Sequence, residues 1–294
     1  MKKWKHVALV AMILGQVGVA SPPVFAQETP SVDYAKLLKA QDQTFPSKSL
    51  KSQGKFELEL KDQAGKILTH PSFSVESQHN FNQPFQGQLA LTISQGSGSQ
   101  NSLIFWLKDG KFYQQLLADQ SVVRKGAKEE KQALNLIQGL DAFYSQLAKG
   151  QATWLSQAFS YKLEKGQIVL TLKDQVSAHQ LYQSFMKDNP DLTKGLNHKM
   201  IENNLDQFLK GHPKLKLSFD AKSLRLSSVY LDTNLPIEWV SQALKVDSKA
   251  LSKQGIGKVK TLRLNGQVAF SYDQALKIQP PVKAQPLSES VQPK

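Results

Sequence analysis

Apolar and polar residues alternate with period two through most of this chain. Phe56, Leu58 and Leu60 are interleaved with Lys55, Glu57, Glu59 and Lys61, and Phe73 and Val75 with Ser72, Ser74 and Glu76. Leu89, Leu91 and Ile93 alternate with Gln88, Thr92 and Ser94, as do Leu215, Leu217 and Phe219 with Lys214, Lys216 and Ser218. Successive side chains of a strand point to opposite faces, so this pattern predicts strands with one dry and one wet side. Such strands belong to antiparallel sheets, because parallel sheets are covered on both faces. Short polar or glycine turns at Asp109-Gly110, Lys165-Gly166, Asp220 to Ser223 and Asn265-Gly266 separate neighbouring alternations and predict hairpins. The pattern yields about ten to twelve strands. Residues 95–101, QGSGSQN, read as a longer loop. Leu103 to Leu107 is apolar on both faces, which places it centrally beneath a helix or against another apolar body.

A different period interrupts the strands. Leu136, Leu140, Phe143 and Leu147 form one stripe of a 3.6-residue helix over Glu129 to Lys149. Glu129 and Glu130 stand at its positive end, and Lys149-Gly150 closes it. Leu181, Phe185 and Met186 predict a second helix over Ala178 to Lys187; Ile201, Leu205 and Phe208 predict a third. A short amphipathic helix is expected at Tyr34 to Gln41. Together these elements predict an α+β fold: a curved antiparallel β-sheet, a half-barrel, with helices packed on its concave face. The order of hairpins and helices suggests two loosely similar halves.

The ends read differently. Lys2, Lys3 and Lys5 precede an apolar run from Val7 to Ala20, followed by Ser21-Pro22-Pro23 and Val24-Phe25-Ala26. That is the three-part pattern of a secretory signal peptide over residues 1–26, short for a membrane span, with an uncleaved membrane anchor as the alternative reading. Removal of the signal leaves no transmembrane span and lowers the net charge of +13 by three. Pro280, Pro281, Pro286 and Pro293 punctuate a polar tail, so residues 280–294 are expected to lack structure. Residues 27–279 remain as a single folded domain, secreted or cell-wall-associated in a bacterium.

Charge and chemistry narrow the function by exclusion. Of 37 basic residues only Arg124, Arg225 and Arg263 are arginine, whereas sequence-specific nucleic-acid readers rely on bidentate arginine. The lysine surplus suits solubility and loose attraction to polyanions, so no specific nucleic-acid partner is expected. The absence of cysteine removes disulfides, thiol nucleophiles and cysteine metal sites. His70, His79, His179, His198 and His212 are scattered singly, without zinc spacing. No nucleophile elbow, phosphate loop or calcium loop is present, and Gly255-Ile256-Gly257 lacks the third glycine of a dinucleotide site. No catalytic residue, metal ligand or cofactor is therefore assigned. Trp106, Trp154 and Trp239 are read first as core filling or edge covering, with an exposed aromatic binding face as the alternative.

Two short motifs point to a family. In residues 215–235, LKLSFDAKSLRLSSVYLDTNL, the turn Asp220-Ala221-Lys222-Ser223 resembles the Asp-x-Lys-Thr/Ser turn of the LolA-like and LppX-like exported carriers. Phe270, Tyr272, Asp273, Ile278 and Pro280 in residues 268–280 are similar to the closing strand of that group. The resemblance implies the half-barrel, with an apolar space between sheet and helices that holds acyl chains of a lipid or lipoprotein. It does not extend to a lipid tether, since no cysteine follows the leader. It implies a non-enzymatic binding protein for a lipid, an acyl chain or an apolar polypeptide segment. The wall residues expected from the apolar sides of strands and helix are Phe56, Leu58, Phe73, Leu89, Leu91, Leu136, Leu140 and Phe143. Two alternatives stand beside this: a cell-wall-associated module whose lysine-rich face binds anionic wall polymer or another exported protein, and a sensor or chaperone gripping an apolar segment.

Overall fold

The first long strand and the last one lie side by side at the centre of a single sheet. The computed structural model describes residues 32–42, 49–80, 86–95, 99–115, 122–131, 134, 152–190, 197–243, 258–276, 278–280 and 284–286. The expected leader and most of the expected Glu129–Lys149 helix lie outside these residues; 127–131 and 134 are helical. In chain order the elements begin with α1 (Tyr34–Asp42), β1 (Leu50–Lys61), β2 (Ile67–Thr69), β3 (Ser72–Asn80), β4 (Gln86–Gln95), β5 (Ser99–Lys108), β6 (Lys111–Gln115) and β7 (Val122–Arg124). They continue with α2 (Thr153–Ala158), β8 (Phe159–Glu164), β9 (Gln167–Leu172), α3 (Ala178–Asp188), α4 (His198–Lys210), β10 (Lys214–Asp220), β11 (Leu226–Pro236), α5 (Ile237–Ala243), β12 (Thr261–Tyr272) and β13 (Ala284–Pro286).

The sheet runs β13-β7-β6-β5-β4-β3-β1-β12-β11-β10-β9-β8, with β2 paired to β1 off this path. It is an open, curved, mostly antiparallel sheet in an α+β fold. Two meanders thus meet at one seam: the N-terminal one leads outward from β1, and the C-terminal one leads inward to β12. At the seam all twelve residues pair, from Leu50 opposite Tyr272 to Lys61 opposite Thr261.

The hairpin turns have the expected chemistry. Asp109-Gly110 and Lys165-Gly166 both hold two consecutive residues at positive φ (52° and 71°, 48° and 78°), as a tight turn with the strands' own twist demands. At Asp220 one carboxylate oxygen accepts from the Lys222 and Ser223 amides and from the Ser223 hydroxyl, at 3.1, 2.7 and 2.9 Å. Asn265-Gly266 is the exception. It is no turn but the middle of β12, with Gly266 opposite Phe56. A Cβ at Gly266 would lie 2.3 Å from Phe56 Cδ1 and 2.4 Å from the Lys55 carbonyl. The glycine serves close approach of an aromatic ring across the seam, not a change of direction.

The main core lies on the inner face of the C-terminal meander. Leu170, Leu215, Leu217 and Leu264 are at most 3% exposed. They pack with Leu37 of α1, Trp154 and Leu155 of α2, Leu181 of α3 and Phe208 of α4. Helices α2 and α5 went unforeseen because six or seven residues show less than two turns of periodicity. The buried carboxylate of Asp188, at the end of α3, accepts from the Trp154 amide at 3.0 Å and satisfies a free donor at the start of α2. Tyr182 and His198 (2.8 Å) and His179 and Glu202 (2.8 Å) tie α3 to α4.

On the outer face, both expectations for the Leu103–Leu107 segment and the tail are resolved together. Trp106, Val122 and Ile278 form a small core of their own, with Ile104, Tyr113 and Leu276 against it. Leu276 and Ile278 lie on this face, and Ala284–Pro286 pairs in parallel with Val122–Arg124. The tail expected to lack structure from residue 280 therefore contributes a short edge strand. Proline density argued against a core, but three residues of ladder beside a docked Ile278 require none.

All three arginines are spent internally. Arg124 pairs with Glu130 at 3.0 Å. Arg225 pairs with Asp273 and lies over the Tyr272 ring, 5.3 Å from its centroid. Arg263 bridges Asp232 (2.9 and 3.0 Å) and Glu59 (3.2 Å) on the outer face of the seam.

Candidate functional site

Register places the expected wall residues of the strands on one face. Phe56 stands opposite Phe73, which stands opposite Ile93. In the next rows come Val75, Leu91 and Leu103, then Ser77, Leu89 and Phe105. Leu58 lies on the same side of β1, opposite Leu264. The structure therefore gathers Phe56, Leu58, Phe73, Leu89 and Leu91 on the inner face. It does not leave them equivalent. The Phe56 and Phe73 rings stack with centroids 4.8 Å apart, and both join the main core together with Leu58. Leu91 forms a separate small cluster with Leu103, Val75 and Phe105. Leu89 stands half-buried between Ser77 and Phe105. Leu136, Leu140 and Phe143 lie outside the described residues.

The two halves of the inner face differ in dryness. In the C-terminal meander Leu170, Leu215, Leu217, Leu231, Leu264 and Val268 are buried under α1 to α4, Val229, Leu262 and Phe270 are half-buried, and Leu163 at the β8 edge is 57% exposed. In the N-terminal meander Phe73, Val75, Leu89, Ile93, Phe105 and Phe112 are only half-buried. Phe105 and Phe112 lie parallel, ring centroids 5.8 Å apart, and extend the apolar surface to β6. Leu107 is buried, in the same row as Leu50, His79 and Gly87.

His79, to which sequence spacing assigned no role, is a polar group of this face. It sits on this inner face beside Gly87, where a Cβ would come 3.1 Å from its Nδ1. Desolvation pushes its imidazole down to about 4, so the ring is neutral at pH 7. The signal was present in the strand register: His79 occupies an inward position of β3, two residues beyond Ser77. Among the described residues, no three His, Asp, Glu or Cys side chains come close enough to hold a metal ion.

A second concavity lies away from this face. α4, the end of β11 and α5 enclose an open groove of about 820 Å³. Asn197, Met200, Asn203, Asn204 and Gln207 line one side, and Pro236, Glu238 and Trp239 the other. Trp106 and Trp154 are 5% and 0% exposed and fill cores, whereas Trp239 is half-buried at the groove. Its indole N–H donates to Asn204 Oδ1 at 3.1 Å.

The chain matches no family model and no curated protein. Among solved structures it is similar to a DUF1329 family protein from Desulfovibrio piger, at 12% identity over 85% of this chain and 96% of that one, with a TM-score of 0.28.

Proposed function

We propose that this chain is an exported, non-enzymatic binding protein that holds an acyl chain against the inner face of its N-terminal meander. One observation carries the reading: over β3 to β6 the inner face carries half-buried Phe73, Val75, Leu89, Ile93, Phe105 and Phe112 beside the buried Leu91, Leu103 and Leu107. A sheet face rich in Phe, Val, Leu and Ile, interrupted by few polar groups and left partly open, is the kind of lining that small apolar ligands use. No reacting group is needed, because transfer from water onto such a face is driven by area. Each CH₂ hidden contributes about 0.8 kcal/mol, so a long chain is held by burial alone. The neutral state of His79 keeps that face free of a charge at pH 7.

The test is displacement of a fluorescent fatty acid by palmitate, with native mass spectrometry of protein taken from its own envelope. Leu89→Lys places a charge on the half-buried row without touching the main core. The expected result is a bound acyl ligand in the wild type and loss of displacement in Leu89→Lys, with little change in melting. Failure of the wild type to bind palmitate or to carry any lipid overturns the reading.

A further inference from the structure

We infer that the groove between α4 and α5 is a binding site for a neutral saccharide, separate from the apolar face and independent of the acyl-binding reading. Its volume of about 820 Å³ lies within the ~300–1,000 Å³ of small-molecule sites, and six of its nine lining residues are polar, which disfavours a purely apolar guest. Four carboxamides face it: Asn197, Asn203, Asn204 and Gln207. Solvent-facing helix positions are commonly charged, and a charged residue prefers one ion sign. A carboxamide is neutral and offers donor and acceptor together, which matches a hydroxyl that also does both. Charge in the groove is balanced as well. Lys199 and Glu238 oppose in sign, and Glu238 is already met by Lys260 at 3.3 Å. Neither a polyanion nor a polycation finds a one-signed surface there.

The aromatic component completes the match. Trp239 packs partly against the main core, and its N–H is committed to Asn204, so the indole is held in one orientation. The same bond uses the Asn204 oxygen and leaves its amino group to donate elsewhere. Asn197 is likewise fixed, its side-chain oxygen accepting from the Met200 amide at 3.1 Å. Asn203 and Gln207, four residues apart on α4, share one helix face. A pre-positioned indole beside oriented amides suits a ring that is apolar on its C–H face and polar around its rim. Met200, 55% exposed, adds a second apolar contact at the same mouth.

The experiment titrates the purified protein with the N-acetylglucosamine tetramer, cellotetraose and maltotetraose, and with tetra-alanine as a peptide competitor. Heat and tryptophan emission are followed together. Trp239 is the responsive fluorophore of the folded part, since Trp106 and Trp154 are buried. At least one saccharide is expected to bind with an emission change. Asn203→Ala/Gln207→Ala is expected to weaken it at least tenfold, about 1.4 kcal/mol, with no change in melting temperature. Trp239→Phe should remove the emission response; if that variant fails to fold, the double carboxamide variant still decides. No saccharide binding at about 10 mM, well above the ~1 mM of weak sites, overturns the inference. So does binding undiminished in the double variant, or binding of the peptide alone. Loss of acyl binding in Leu89→Lys leaves this result untouched, so the two readings fail separately.

Discussion

Single residues carry more of this fold than their type suggests. Gly266 is required by Phe56, and replacing it with alanine drives a Cβ against both that ring and the Lys55 carbonyl. Overpacking of this kind costs about 1–3 kcal/mol, read as a lower urea midpoint. Phe56→Leu in the same chain is expected to restore only part of it, because the carbonyl contact is backbone. Arg263 is a second case. Its guanidinium holds the carboxyl of Asp232 below the usual range, and Lys61 followed by Arg263 does the same for Glu59. Arg263→Met leaves a nearly buried Asp232 without its partner, at a cost of about 1–3 kcal/mol near pH 7. Both carboxyls have depressed folded pKa values. Their contribution is therefore present above the unfolded value of about 4 and is lost as pH falls through the folded value. Arg263→Met should flatten the acid limb below pH ~4. His79 acts in another window. Its imidazole sits at about 4 in the folded chain, against an ordinary value near 6.5, so unfolding binds a proton between those limits. Stability should fall as pH drops from about 6.5 to about 4, and His79→Gln should remove that slope. Chemical denaturation at stepped pH checks both.

At the level of elements, α2 depends on a group from elsewhere. It is six residues long, too short to stand alone, and its N-terminal side is satisfied by Asp188 of α3. Asp188→Ala is expected to cost about 1–2 kcal/mol, whereas Asp188→Asn, which keeps an acceptor, should cost less. Thermal melts distinguish them. Elements were legible in the sequence where one face is buried over five or more residues. β1, β3, β4, β9 and β10, and helices α1, α3 and α4, follow from alternation or from a stripe. What alternation could not supply was pairing. Asn265-Gly266 has hairpin chemistry, and only the partner strand shows that Phe56 occupies the glycine's missing side chain. Of the apolar wall, Phe56, Leu58, Phe73, Leu89 and Leu91 fall on the expected face, because strand parity survives any register that keeps the core dry. Their division among the main core, a separate small cluster around Leu91 and a half-buried row at Leu89 depends on where other elements dock, which no local pattern encodes. The carboxamide groove was missed for a related reason: its residues come from two helices and a strand end, and polar helix positions read as solvent-facing.

The whole molecule is held on its outer side by the segment after β12. Leu276 and Ile278 cover Trp106 and Val122, and Ala284–Pro286 completes the edge beyond β7. A chain ending at Gln274 keeps Asp273 for Arg225 but uncovers Trp106. Its tryptophan emission should shift to the red and its melting temperature should drop by several degrees, since ~1 kcal/mol corresponds to ~2–4 °C at this size. An unshifted spectrum would show that this segment does not shield the indole.

The seam between β1 and β12 also sets an order of events during synthesis. Every other long ladder joins neighbours in sequence and can form as its residues emerge, but β1 has to wait some two hundred residues for its second partner. Closing a loop of that length costs about 5 kcal/mol of chain entropy, repaid only when the full ladder zips. Until then β1 offers a long bare edge of amide and carbonyl groups, the surface on which strands of different chains join. A ribosome that releases this polypeptide slowly thus prolongs the interval in which two copies can exchange their halves. Chaperone demand should accordingly peak late in translation, between the completion of β7 and the arrival of β12.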